Sequence, residues 1–97
     1  MKIIRKIRDP RKNVTGKIEY VRKYSYRISK SEKQNSFYFS VFWKKRLVAI
    51  ILVGIESDND YLWQEKEPMI TQDEKDKIEY FIGDNWFKLY DALQYAS

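Results

Sequence analysis

Residues 47–55, LVAIILVGI, hold no polar side chain. Nine residues are too few to cross a bilayer as a helix, which needs about 20. Their β-branched content favours a strand, and a strand apolar on both faces belongs in the middle of a sheet with both sides covered. The preceding segment, FYFSVFW at 37–43, makes almost the same demand. Phe37, Phe39, Val41 and Trp43 fall on one face, and Tyr38, Ser40 and Phe42 on the other. Between them Lys44–Arg46 reads as a tight hairpin closure, without the Asn-Gly pair that such turns favour. Two adjacent strands therefore ask for cover on both sides.

The upstream segment KIEYVRKYSYRISK alternates with period two, placing Ile18, Tyr20, Arg22, Tyr24, Tyr26 and Ile28 on one side. We read it as a strand from Lys17 to Ser29, followed by a polar loop over 30–36. Asp9-Pro10 and Asn13–Gly16 are turn chemistry, so residues 1–16 read either as a basic arm or as an edge strand. Residues 56–60 form a turn, and Tyr61–Gln64 a further strand ended near Pro68. The helix start is sharper. In TQDE, Thr71 and Glu74 fit a capping box, and Asp73 and Glu74 place negative charge at the positive end of the helix dipole. Ile78, Phe81, Ile82, Trp86, Leu89 and Leu93 then recur at helical spacing. Gly83 costs a helix about 1 kcal/mol against alanine, and with Asp84 and Asn85 after it a continuous helix and two short ones fit equally. The expected fold is α+β: an antiparallel meander sheet of about four strands, followed by a C-terminal helix, or two short helices, packed on one face.

At 97 residues the chain is read as a single domain, 1–97, with one core. It has no cysteine and no histidine, which removes disulfides, thiol nucleophiles, the commonest acid–base residue and the commonest zinc ligands. The net charge of +5 conceals a polarity. Residues 1–46 hold fifteen Lys/Arg against three acids, a net +12, and residues 47–97 hold four Lys against eleven acids, a net −7. Such a split points to a polyanionic partner for the first half or to pairing of opposite ends, unless folding interleaves the two.

One helical layer shelters one sheet face; the other, with its aromatic and aliphatic side chains, is expected to be covered by a symmetric partner, by the N-terminal segment folding back, or by a ligand with flat apolar groups. Patches of that kind above a few hundred Å² generally bind something. Single-stranded nucleic acid fits, because its bases stack on exposed rings while Lys and Arg neutralise its phosphates. The expected contacts are Arg5, Lys6, Arg8, Arg11 and Lys12 in the arm, Lys17, Arg22, Tyr24, Tyr26 and Arg27 along the tyrosine strand, and Lys44, Lys45 and Arg46 at the hairpin. A core-lining role for the tyrosines is the alternative. In element order, residues 17–83 resemble the small single-strand-binding coactivator fold, whose dimers present curved sheets to DNA. The resemblance implies a sheet-borne, dimeric binder and carries no shared motif.

The acidic segment 56–67 invites a metal reading through Glu56, Asp58, Asp60, Glu65 and Glu67, but its spacing does not match a calcium loop. Gly16, Gly54 and Gly83 are too far apart to cradle phosphate. We expect a non-enzymatic nucleic-acid-binding protein, single strands preferred, without metal or other cofactor. The competing expectation is a small inhibitor or adaptor of phage or mobile-element type. Its acidic half, or the aromatics Trp43, Tyr61 and Trp63, would dock on a larger host protein. A homodimer is the third. The expected setting is the cytoplasm of a microbe or of a virus-infected host cell, with no membrane partner.

Overall fold

The computed structural model describes residues 14–33, 35–54 and 61–96. Strands β1 (Thr15–Lys17), β2 (Tyr24–Lys30), β3 (Ser36–Trp43), β4 (Arg46–Gly54) and β5 (Tyr61–Glu65) form one antiparallel sheet, each paired with its neighbour in sequence. Helices α1 (Gln72–Asp84) and α2 (Trp86–Ala96) follow. The molecule is thus an α+β meander with two C-terminal helices, as expected, with β1 as an additional edge strand. Thr15 and Gly16 end the segment read as arm or edge strand; residues 1–13 lie outside the described residues. No helix among the described residues is long and apolar enough to cross a membrane.

The strand expected over Lys17–Ser29 is instead two strands and a turn. Val21 N–H donates to Ile18 O at 3.0 Å, Tyr24 N–H to Val21 O at 3.0 Å, and Ile18 N–H to Tyr24 O at 3.1 Å. The alternating pattern hides this reversal because none of residues 18–23 adopts positive φ, so no glycine or asparagine marks the turn. Ile18, at its base, is fully buried.

One sheet face meets the helices. Tyr24, Tyr26 and Ile28 of β2, Phe37, Phe39 and Val41 of β3, and Ala49, Ile51 and Val53 of β4 share a core with Ile78, Phe81 and Ile82 of α1 and Trp86, Leu89 and Leu93 of α2. Rings knit the layers together: Tyr26 stacks on Phe39 at 5.0 Å, Phe81 lies 5.6 Å from Tyr26, and Phe37 lies 5.8 Å from Trp86. A register shift between Val41 and Phe42 leaves Val48 unpaired on β4, so Val48 and Ala49 are both buried in succession.

The capping box forms as expected. Glu74 N–H donates to Thr71 Oγ1 at 3.1 Å, and Thr71 N–H to Glu74 Oε1 at 3.0 Å. Helix α1 runs through Gly83 and breaks at Asn85, whose backbone N–H reaches Phe81 O and Ile82 O and whose Nδ2 donates to Phe81 O at 2.9 Å. The two-helix alternative is therefore the one found, with the break two residues beyond the glycine.

Candidate nucleic-acid interface

The sheet face away from the helices is ordered by register. One cross-strand row runs Thr15, Arg27, Ser40, Ile50, Gln64; the next runs Ser29, Tyr38, Leu52, Leu62; a third runs Lys17, Ser25, Phe42, Leu47. From β1 to β5 the surface passes from cations and hydroxyls through two rings to aliphatic side chains. Arg27 sits opposite Ser40, so Tyr38 and Phe42 are its diagonal neighbours on β3, a spacing of about 7–8 Å that long side chains span. Arg27 is exposed, Tyr38 is 38% exposed, Leu62 is 64% exposed, and Phe42, Ile50 and Leu52 are half-buried.

Lys17, Arg27 and Lys45 line a shallow groove of about 470 Å³ together with Thr15, Ser25 and Phe42. Among the described residues none of these three cations has an ion-pair partner. Lys44 and Lys45 close the β3–β4 hairpin with φ of 49° and 69°, the left-handed pair that a two-residue type I′ turn requires. Lysine there costs about 1–2 kcal/mol per position against the right-handed region. Lys44 Nζ lies 4.8 Å from the Trp43 ring centroid and the Arg46 guanidinium 5.8 Å, so the indole gathers two cations at the tip. Arg46 also pairs with Glu67 at 3.1 Å.

The structure moves two expected contacts to the other side of the sheet. Tyr24 is fully buried and Tyr26 is 8% exposed, both beneath the helices, so neither ring is available to stack a base on the open face. The parity of β2 sets this: Tyr24, Tyr26 and Ile28 project together, and the apolar stripe of α1 and α2 covers that side. Tyr24 Oη donates to Glu74 Oε1 at 3.1 Å, and Lys23 Nζ meets Glu74 Oε2 at 2.7 Å. Burial alone would raise the Glu74 carboxyl, but hydrogen bonds from Lys23, the Thr71 amide and Tyr24 outweigh it and hold it below the usual carboxylate range. The Tyr24 phenol is pushed up, first by burial and then by the Glu74 charge. Arg22 is exposed in the 18–23 turn rather than on the sheet. Arg5, Lys6, Arg8, Arg11 and Lys12 lie outside the described residues. Lys17, Arg27 and Lys45 are gathered at one groove, with Lys44 and Arg46 beside it. The rings of this face are Tyr38 and Phe42, which the alternation of 37–43 already assigned to the side opposite Phe39.

The helical layer has the opposite character. Helix α1 carries five acids and two lysines, whereas residues 14–46 carry nine cations and two acids. Among the described residues, two of those nine, Lys23 and Arg46, pair with acids of the second half, so most of the charge polarity of these residues stays in place. Tyr80 and Phe87 are 67% and 74% exposed on the helices. Tyr61 and Trp63, considered as docking anchors, are half-buried against α1, where Trp63 Nε1 donates to Glu79 Oε2 at 2.7 Å. In the acidic segment, Glu65 pairs with Lys75 and Glu67 with Arg46, while Glu56, Asp58 and Asp60 lie outside the described residues. No known protein family, curated protein or solved structure matches this chain. The likeness to the coactivator fold accordingly stops at element order.

Proposed function

We propose that this protein binds single-stranded nucleic acid on the open face of its sheet and performs no chemistry on it. The observation that carries the reading is Arg27, unpaired among the described residues, between Tyr38 and Phe42 with Lys17 and Lys45 at the rim. Rings on an open face offer about 1–3 kcal/mol per stacked base, and unpaired cations neutralise the phosphates between bases. A duplex keeps its base faces stacked inside, so the rings favour single strands. Titrating fluorescently labelled single-stranded and duplex oligonucleotides at several salt concentrations tests it. Single strands should bind more tightly, with log affinity falling against log salt by about 0.7 per phosphate neutralised. Arg27→Ala should lower both affinity and slope; no submillimolar binding even at low salt would refute the reading.

The second reading, an inhibitor or adaptor docking on a host protein, is favoured by Phe87 and Tyr80 standing exposed on the acidic helical layer. It predicts loss of partner capture on Phe87→Ala with oligonucleotide binding untouched. Light scattering of the free protein separates both readings from a homodimer.

A further inference from the structure

The groove between β1, β2 and the β3–β4 hairpin has features that an interior phosphate does not require. Lys17, Arg27 and Lys45 line it with two hydroxyls, Thr15 and Ser25, and among the described residues no carboxylate does. An internal phosphodiester brings one negative charge, whereas a phosphomonoester carries about −1.5 to −2 near neutral pH and presents three acceptor oxygens. The second set matches the lining better. The position agrees: among the described strands β1 is at the edge, and the turn at Lys44–Lys45 marks the end of β3, so the groove occupies a corner of the described sheet. A strand laid along β3 past Tyr38 and Phe42 has room to set its end at this corner. Lys45 itself is held at φ 69° where glycine is preferred, and backbone strain concentrates where a side chain is needed in place.

We infer that this corner groove is a subsite for the terminal phosphomonoester of a single strand, Lys17, Arg27 and Lys45 meeting the phosphate, Thr15 and Ser25 donating to its oxygens, and Phe42 stacking the last base. The inference rests on the reading of the open face as a single-strand platform. The volume of about 470 Å³ falls within the ~300–1,000 Å³ of small-ligand sites, enough for one terminal nucleotide.

The test compares internally labelled oligonucleotides of one sequence bearing a 5′-phosphate, a 3′-phosphate or hydroxyls at both ends, bound at fixed salt. One phosphorylated form should bind roughly fivefold more tightly than the hydroxyl form, the scale of an exposed ion pair at about 1 kcal/mol. Lys45→Gly should abolish that ratio while raising Tm, because glycine relaxes the turn and removes the cation; Arg27→Gln should abolish it too. Equal binding of all three oligonucleotides, or a ratio that survives both substitutions, overturns the subsite and leaves the platform standing. Failure of every oligonucleotide to bind overturns both. Inorganic phosphate displacing the strand as well as a nucleoside monophosphate does would also overturn it, since the groove would then recognise a free anion.

Discussion

Glu74 joins three parts of the chain: it closes the capping box of α1, accepts from Tyr24, and pairs with Lys23. Its local half is readable in TQDE, because a capping box is a four-residue pattern. Its partners some fifty residues upstream are not, because nothing in a two-residue alternation says which side a helix will cover. That same ambiguity left Tyr24 and Tyr26 open between core and surface. Glu74→Ala should cost about 1–2 kcal/mol in urea unfolding, from the lost cap and a charge-assisted hydrogen bond. The pH sign follows from the lowered carboxyl. The contribution is present above the unfolded-state value of about 4.3 and disappears as pH falls through the lower folded value, so wild type and Glu74→Gln should converge in stability in acid. The buried tyrosines act at the other end of the scale. Burial raises Tyr26, and burial with Glu74 raises Tyr24. Their contribution is full below about pH 10 and is lost as pH rises through the folded values. Spectrophotometric titration should find the Tyr24 and Tyr26 phenols among those ionising late, with unfolding midpoints falling as they do.

At the scale of elements, what could be read followed what is local. The apolar runs beginning at Phe37 and Leu47 became β3 and β4, and the helical stripe became α1 and α2. The 18–23 reversal was hidden because it uses ordinary backbone angles, and the Lys44–Lys45 turn runs against the residues its geometry favours. Two glycines divide in their expected behaviour. A Cβ at Gly16 would sit 3.1 Å from the Tyr26 ring, which is held by its stack on Phe39 and by Phe81, so Gly16→Ala should destabilise by about 1–3 kcal/mol. A Cβ at Gly83 would lie 3.3 Å from the Tyr61 hydroxyl, the far end of a side chain whose hydrogen bond to Glu79 O is already long at 3.4 Å. The hydroxyl can yield, and the helix gains up to about 1 kcal/mol, so Gly83→Ala should raise the urea midpoint.

At the scale of the molecule, one helical layer covers one sheet face, and among the described residues most of the charge polarity survives folding. Cations, hydroxyls, rings and aliphatic groups succeed one another across the open face, while acids and the exposed rings of Tyr80 and Phe87 occupy the helical layer. That the helices would cover one side of the sheet and leave the other without helical cover was legible from two strands apolar on both faces and a single helical layer to shelter them. Which rings it presents required the register. Both layers expose aromatics, so ultraviolet cross-linking of a single-stranded oligonucleotide, with the attached residues mapped by mass spectrometry, tests the central claim most directly. Cross-links should fall on Tyr38 and Phe42; cross-links confined to Tyr80 and Phe87 would contradict the assignment of the open sheet face as the binding surface.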